Sequence, residues 1–258
     1  MSEYESNQER TAEHARKFDR EKTIKYLIKD ARPFVLDVGA NVGTSLDEFK
    51  SWWPDAVVHS FEPQEECWGP LRQRAAKFPE GSAIVNSCAA GSIATKQATF
   101  YSHEINSGVS GFNKINLQSK DSIHLNKLAE KDPSSLVDYQ KSLNHERTVE
   151  VVRLDDYLGS LGVARVNLLK IDTQGFEPQV LEGLGARLAD VDVVITELMF
   201  YDYYERSLSF SDIERFLIPA GFHLYDISHI AKNPMNGRTD WVDVIYVNNR
   251  LRSAAKNA

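Results

Sequence analysis

Residues 34–45, FVLDVGANVGTS, set the expectation for the fold. The stretch opens with residues 34–38, which are apolar apart from Asp37 and therefore typical of a buried strand. Two glycines follow as Gly39-x-x-x-Gly43, and glycine adopts backbone angles that other residues avoid. Residues 44–53 then carry apolar side chains at helical spacing. The stretch predicts a strand, a tight glycine turn and a helix, in that order.

The composition is ordinary for a soluble globular protein. The chain has 258 residues, 42% apolar and 26% charged, which suffices for one large α/β domain or two small ones. No apolar run reaches the ~20 residues of a membrane helix, and the amino-terminal segment lacks the apolar region of a secretion signal. The net charge of -7 argues against a protein that coats nucleic acid. Because Cys67 and Cys88 form no disulfide framework or metal-binding spacing, a cytoplasmic protein is predicted.

Strand and helix patterns alternate along most of the chain. Strands are predicted at 34–38, 56–61, 83–88, 166–171 and 191–196, and helices at 44–53, 65–78 and 178–188. Ser211 and Glu214 form a predicted capping box that opens a further helix. Strands at 223–227 and 241–247 are predicted to form a closing hairpin, so that an antiparallel strand ends an otherwise parallel sheet. The pattern predicts an α/β fold with a doubly wound sheet, covered by helices on both faces.

Two regions depart from this alternation. Residues 1–30 are predicted to form a charged amino-terminal helical extension, with a single helix over residues 5–30, and residues 31–250 the main domain. Within the main domain we expect an added strand at 97–103, a polar insertion with one helix at about 104–146, and an extended segment at 148–153. The insertion is placed to cover an acceptor and is flanked by His103, Ser107 and Ser110.

The glycine turn is predicted to hold a ligand with a cationic end. In doubly wound sheets, ligands bind beyond the carboxyl ends of the strands, where the strand order reverses. The turn lacks the third glycine of a dinucleotide fingerprint and the lysine of a P-loop, and Asp37 would repel a pyrophosphate. Glu62 lies 23 positions after Gly39 at the end of the second strand, where an acid accepts both ribose hydroxyls. S-adenosylmethionine, an adenosine joined to an amino-acid cation, fits this pattern better than NAD.

A second group of charged residues ends the fourth and fifth predicted strands. Strand alternation puts Lys170 and Asp172 on one face. A buried lysine needs a partner, and Asp37 and Asp172 are the candidates because the first and fourth strands are expected to be neighbours. Asp172 and Glu197 are predicted either to act as a general base toward a hydroxyl or to bind a divalent cation such as Mg²⁺. A purely structural role for these acids is the alternative.

Five motifs in a fixed order carry a family resemblance: LDVGANVGT (36–44), FEP (61–63), NSCAAG (86–91), LDDYL (154–158) and LLKIDTQGFEPQVLEG (168–183). Over residues 34–247 the chain resembles the FkbM-type family of S-adenosylmethionine-dependent methyltransferases. The resemblance implies a Rossmann-like class I methyltransferase fold, whose doubly wound, mostly parallel seven-stranded sheet has an antiparallel last strand. It also implies methyl transfer, usually to a hydroxyl oxygen of a sugar, glycan or secondary metabolite. Gln174 stands where the family more often carries glutamate.

These patterns and the resemblance together define the predicted site. The predicted catalytic residues are Lys170, Asp172 and Glu197, of which Asp172 and Glu197 are also the candidate metal ligands. Asp172 would take the proton from the acceptor. The predicted cofactor-binding residues are Asp37, Gly39, Asn41, Gly43, Thr44, Glu62, Pro63, Cys88 and Ala89. The aromatic residues of the segment 200–204 are as consistent with an acceptor pocket as with packing.

Three other functions fit part of the pattern. An NAD-dependent oxidoreductase accounts for Glu62 but not for Asp37 or the missing third glycine. A regulatory protein could bind S-adenosylmethionine without catalysis. An N-methyltransferase of the same fold would need less help from a base. The predicted partner is a small-molecule or glycan acceptor, with no nucleic acid and no membrane span, and no pattern in the sequence indicates the oligomeric state.

Overall fold

Ten strands are present in the structure, a computed structural model that describes residues 6–104, 106–119 and 132–251. They are β1 (Phe34–Val38), β2 (Val57–Phe61), β3 (Ala83–Asn86), β4 (Ala89–Ala90), β5 (Thr95–Ser102), β6 (His145–Val152), β7 (Val166–Ile171), β8 (Val191–Met199), β9 (Phe222–Lys232) and β10 (Thr239–Asn248). Seven of them form the main sheet, in the order β3-β2-β1-β7-β8-β10-β9. Strand β10 runs antiparallel to both β8 and β9, whereas the other neighbours are parallel. The predicted doubly wound sheet with an antiparallel last strand is confirmed.

Eight α-helices lie in the described part of the chain. They are α1 (Asn7–Lys17), α2 (Arg20–Leu27), α3 (Thr44–Trp52), α4 (Glu65–Ala75), α5 (Pro133–Lys141), α6 (Leu154–Leu161), α7 (Glu177–Leu184) and α8 (Phe210–Leu217). None of the helices in the described ranges combines the length and the apolar character that a membrane crossing requires.

Helices cover the main sheet on both faces, because successive residues of a strand point to opposite sides. On β7, Leu168 packs into a core with Ile24 of α2 and Phe49 of α3. Its neighbour Leu169 packs into the opposite core with residues of α6, α7 and α8. All of these apolar residues are buried. Strands that are buried on both faces account for the continuous apolar runs in the sequence.

A second, three-stranded sheet was not predicted as a sheet. Its order is β4-β6-β5, with β6 parallel to β4 and antiparallel to β5. The strand at 97–103 and the extended segment at 148–153 were expected, but nothing in either segment indicated that they pair with each other. The predicted strand at 83–88 is divided: β3 ends at Asn86, and the chain crosses to the second sheet at Ala89.

Several predicted element boundaries were wrong for local reasons. The amino-terminal extension forms two helices, because Asp19 accepts a hydrogen bond from the Lys22 N–H at 2.8 Å and caps a new helix. The capping box before α8 uses Ser209 and Asp212, so the Ser211 and Glu214 prediction was two residues late. The predicted helix at 178–188 ends as an α-helix at Leu184 and continues as a 3-10 helix over Gly185–Asp190.

The insertion contacts the main domain at the loop that follows β8. A 3-10 turn, Ser107–Val109, opens it, and α5 is the helix within its described part. Ile115 forms an isolated antiparallel bridge with Tyr204, which follows β8. The remaining residues of the predicted insertion, 105 and 120–131, lie outside the described residues. The insertion therefore contacts the rim of the sheet at the ends of the strands.

Candidate active site

Residues with left-handed backbone angles form the turn after β1. Gly39, Asn41 and Gly43 have φ values of 79°, 48° and 89°. A Cβ atom on Gly39 would lie 1.8 Å from the carbonyl oxygen of Asp172, so only glycine fits where the loops after β1 and β7 meet. Gly43 caps α3, and the free N–H groups of that helix therefore follow the turn directly.

Glu62 ties this turn to the end of β2. The residue is 2% exposed, and its two carboxyl oxygens accept backbone N–H groups of Asn41 and Gln64, each at 2.8 Å. Burial raises the pKa of the Glu62 carboxyl, and the two N–H donors oppose that effect. Each carboxylate oxygen can accept a second hydrogen bond. Glu62 can therefore hold the turn and still bind hydroxyl groups of a ligand.

Lys170 links the loops after β1 and β7. Its Nζ lies 3.5 Å from Oδ1 of Asp37 and 3.4 Å from Oδ2 of Asp172, and it donates to the carbonyl oxygen of Gly39 at 3.2 Å. Burial lowers the pKa of Lys170, but Asp172 and Asp37 more than offset this effect, so the pKa is raised. The ammonium group therefore remains charged. The predicted contact of Lys170 with both aspartates is confirmed.

A cleft lies beyond the carboxyl ends of β1, β2 and β7. Its empty volume is about 600 Å³ including the part open to solvent. The predicted site residues that line it are Gly39, Asn41, Glu62, Pro63, Ala89 and Asp172. The predicted site residues that do not line it are Asp37, Gly43, Thr44, Cys88, Lys170 and Glu197. Of these, Cys88 packs against the core between β3 and β4.

Residues at the start of the insertion close the cleft from one side. The Asn41 side-chain amide donates to the Ser107 hydroxyl at 3.0 Å, and the Gln64 amide donates to the Ser107 carbonyl at 3.1 Å. Phe100 and Phe112 also line the cleft. The sequence marked Ser107 only as a flank of the insertion and did not single out Gln64, Phe100 or Phe112. No spacing rule connects Ser107 with a turn 66 residues earlier in the chain.

Glu177 shapes the loop that follows β7. Its Oε1 accepts the backbone N–H of Thr173 at 2.9 Å, the Thr173 hydroxyl at 3.1 Å and the backbone N–H of Gly175 at 3.3 Å. The residue is 2% exposed, and burial raises its pKa to about 7. This loop carries Asp172 at its start, and the Asp172 side chain is 39% exposed. The accessible Asp172 carboxylate therefore lies on a loop that the buried Glu177 side chain holds in place.

A second, smaller cavity adjoins the cleft. Its empty volume is about 280 Å³, and its lining includes Gln174, Glu177, Glu197, Tyr201, Tyr204 and Arg206. Gln174 lines both spaces. Burial, followed by the negative charge of Asp172, raises the pKa of Glu197 far above its usual range. Burial therefore favours the protonated form of Glu197, which can donate a hydrogen bond.

The predicted metal site gains no support. Within residues 6–104, 106–119 and 132–251, no three or more His, Cys, Asp or Glu side chains are arranged to hold a metal ion. Asp172 and Glu197 line different spaces, the cleft and the second cavity. Lys170 also faces Asp172, so its positive charge opposes a cation at that carboxylate.

The strand order, with its antiparallel last strand and a cleft beside the first glycine turn, defines a Rossmann-like domain of the class I methyltransferase type. The sequence model of the family described as "Methyltransferase FkbM domain" matches residues 37–224. The chain therefore belongs to this family. The resemblance found in the motifs is confirmed.

Two curated relatives and one solved structure illustrate the similarity. The chain is 30% identical over 168 residues to Methyltransferase 1 of Beauveria bassiana, covering 64% of each chain. It is 27% identical over 154 residues to 31-O-demethyl-FK506 methyltransferase FkbM of Streptomyces tacrolimicus, covering 58% of each. The match thus spans less than two thirds of either relative. Magnesium protoporphyrin IX methyltransferase of Synechocystis, solved with bound SAM, has a TM-score of 0.45 and 10% identity, covering 96% of this chain and 86% of that chain.

Proposed function

We propose that the protein transfers a methyl group from S-adenosylmethionine to a hydroxyl oxygen of a sugar, glycan or secondary metabolite. One observation carries the proposal: Asp172 presents an accessible carboxylate at the end of β7, directly beside the glycine turn. The family supports methyl transfer. The name of the Streptomyces relative, which specifies a 31-O-demethyl compound, supports oxygen as the acceptor atom.

The residues around the cleft fit S-adenosylmethionine. Asp37 is fully buried and lies outside the lining of the cleft, with its Oδ1 3.5 Å from Nζ of Lys170, so we propose that it supports the turn that would receive the cationic amino-acid end. Gly39 leaves the backbone free of a side chain at the turn, and Glu62 stands where ribose hydroxyls would bind. When bound, S-adenosylmethionine supplies the electrophilic methyl group.

The protein itself has to orient the acceptor and remove its proton. Asp172 is the proposed base, because a carboxylate within hydrogen-bond reach can take the hydroxyl proton. Lys170 lies 3.4 Å from Oδ2 of Asp172 and would help to hold that carboxyl group in place. Glu197, with its raised pKa, is proposed to donate a hydrogen bond to the acceptor rather than to act as a second base. The two acids thus take different roles.

The mouth of the second cavity is the proposed acceptor site. It meets the cofactor cleft at Gln174, and its wall includes Tyr201 and Tyr204. Aromatic rings offer apolar faces to a sugar ring or polyketide, while Glu197 and Arg206 offer polar groups. A cytoplasmic location is also proposed, because Cys67 and Cys88 are free thiols rather than a disulfide.

Replacing Asp172 by asparagine tests the base. The amide keeps the size and polarity of the side chain but cannot accept a proton, so we expect methyl transfer to fall by ~10² to 10⁴-fold. Binding of S-adenosylhomocysteine should stay within about threefold of wild type. Turnover is measured with tritiated S-adenosylmethionine against a panel of hydroxyl and amine acceptors. Full activity of D172N would rule out Asp172 as the base. Full activity on amine acceptors alone would favour N-methylation.

Replacing Glu62 by glutamine tests the ribose contact. Glutamine keeps one acceptor oxygen for the turn but loses the charge-assisted hydrogen bonds, so we expect S-adenosylhomocysteine to bind at least ~10-fold more weakly. Calorimetric titration measures the affinity, and Glu66→Gln, an exposed acid on the adjacent helix α4, serves as the control. Unchanged affinity in E62Q would contradict the assignment.

A further inference from the structure

Gln174 forms the partition between the cofactor cleft and the second cavity. It has a φ of 57°, a left-handed conformation that is uncommon for a residue with a side chain. Its Nε2 donates to Oδ1 of Asp172 at 2.7 Å, and its Oε1 accepts the hydroxyl of Tyr204 at 2.7 Å. One amide therefore connects the accessible carboxylate to a tyrosine that is 3% exposed.

The chemistry of the partners fixes the orientation of this amide. An ionised carboxylate only accepts hydrogen bonds, so the NH₂ group of Gln174 has to face Asp172. Its oxygen then faces Tyr204, which has to donate. Burial raises the pKa of Tyr204 well above its usual range, so the phenol keeps its proton. The Tyr204 hydroxyl also lies 3.0 Å from the carbonyl oxygen of Val109, a second acceptor that shares its single proton with the closer Gln174 oxygen.

Gln174, which separates the two cavities, is uncharged, whereas several acidic side chains lie near its partner Asp172. Lys170 is the cation within ion-pair distance of Asp172 in the described residues. The acids that interact electrostatically with Asp172 or with its partner Lys170 come from five elements: Asp37 of β1, Glu48 of α3, Glu177 of α7, Glu197 of β8 and Asp243 of β10. A further negative charge at position 174 would therefore act on a carboxylate that already has several acidic neighbours.

We propose that Tyr204 and Gln174 form a positioning pair for Asp172. Tyr204 fixes the direction of the Gln174 amide, and that amide donates to Oδ1 of Asp172 and so sets the position of the carboxyl group. The pair acts through Asp172 and makes no bond to the transferred group. The inference rests on the proposed function, because it assigns the pair to the same base.

The test follows the titration of Asp172 itself, which needs neither cofactor nor acceptor. Full-length protein is labelled with ¹³C at the aspartate side-chain carboxyl groups, and the Asp172 signal is assigned by its loss in D172N. The pH midpoint of this signal is then compared in wild type, Gln174→Glu, Gln174→Met and Tyr204→Phe. Gln97→Glu, the same change at an exposed position on β5, is the control.

Each variant has a distinct expected shift. Q174E replaces a donor by a like charge and should raise the midpoint by at least about one pH unit. Q174M removes the donor without adding charge and should raise it less. Y204F keeps Gln174 and Asp172 but removes the hydroxyl that fixes the Gln174 amide, so it should shift the midpoint in the same direction. Q97E should leave the midpoint unchanged. A wild-type midpoint in both Q174E and Q174M, or in folded Y204F, would overturn the proposal.

A second readout separates this inference from the proposed function. Calorimetry with S-adenosylhomocysteine is run on the same preparations. If the midpoints stay at the wild-type value while the ligand binds, the positioning pair is wrong and the proposed function stands. If the midpoints move but neither the wild type nor any variant binds S-adenosylhomocysteine, the proposed function is wrong. The pair then positions Asp172 without a role in methyl transfer.

Discussion

Gly39 is the residue on which the geometry of the site depends most directly. It lets the loop after β1 touch the loop that carries Asp172, and its backbone carbonyl receives the ammonium group of Lys170. A single Cβ atom at this position would collide with a backbone oxygen that cannot move without displacing Asp172. The position therefore joins the proposed cofactor site to the proposed base.

Replacing Gly39 by alanine should destabilise the protein strongly. Strain at the left-handed angle and overpacking against Asp172 add up to roughly 3 kcal/mol or more. Urea unfolding measures the difference. Gly159→Ala is the control, because a Cβ atom there has no neighbour within 4 Å and Gly159 lies in helix α6, where alanine stabilises by about 0.5–1 kcal/mol. Equal stability of the two variants would contradict the close approach at Gly39.

Some residue-scale contacts followed from the sequence and others could not. Strand alternation and the expected order of strands predicted that Lys170 meets Asp37 and Asp172, since these rules depend only on local periodicity and fold class. The contacts of Ser107 with Asn41 and of Tyr204 with Gln174 depend on how an irregular insertion folds back. No local pattern encodes such contacts.

At the scale of elements, the loop between β7 and α7 is held by a buried acid. Glu177 is the first residue of α7, and its carboxyl binds N–H and O–H groups of the loop that also carries Asp172 and Gln174. Because burial raises its pKa to about 7, ionising this group in the folded protein is unfavourable. The folded state therefore binds a proton that the unfolded state has released, between the ordinary pKa and about 7.

This difference predicts how Glu177→Gln changes the pH dependence of stability. A raised carboxyl pKa means that the stability of the wild type falls as pH rises from about 4.5 to 7, whereas a neutral amide does not titrate. Measured by urea unfolding, the stability of E177Q relative to wild type should improve by roughly 2 kcal/mol between pH 5 and pH 8. A difference that is constant with pH would contradict the buried acid.

The elements themselves were predictable in type but not always in pairing. Apolar runs and glycine turns predicted the main sheet, because its central strands β1, β7 and β8 are buried on both faces and leave a strong signal. The second sheet was missed because the short strand β4 has only two residues and β5 is partly exposed. The capping box before α8 was misplaced, since Ser209 and Ser211 offer equivalent side chains and only the packing of the helix selects between them.

At the scale of the whole molecule, the amino-terminal extension contacts the rim of the site. The family match begins at residue 37, yet Arg20 at the start of α2 lies 3.9 Å from Glu48 of α3 and 3.8 Å from Asp243 of β10. Burial raises the pKa of both acids, and Arg20 opposes that effect. The extension thus supplies a positive charge to an acidic edge of the sheet.

Replacing Arg20 by glutamine should therefore destabilise the protein at neutral pH. Without the cation, the ionised forms of Glu48 and Asp243 lose a partner, and we expect a loss of about 1 kcal/mol at pH 7 that shrinks as the pH falls and both acids become protonated. Lys25→Gln removes an exposed cation from the same helix and is the control. Thermal and urea unfolding measure both variants, and equal effects of R20Q and K25Q at pH 7 would refute the contact.

Calorimetric titration of the protein with S-adenosylmethionine and S-adenosylhomocysteine, with NAD as the control, shows whether the cleft binds an adenosyl amino acid. The turn at Gly39, the buried Asp37 and the acid Glu62 predict saturable binding of the first two ligands and none of NAD. Binding of NAD alone, or of none of the three, would contradict the assignment of the cleft to an adenosyl amino acid.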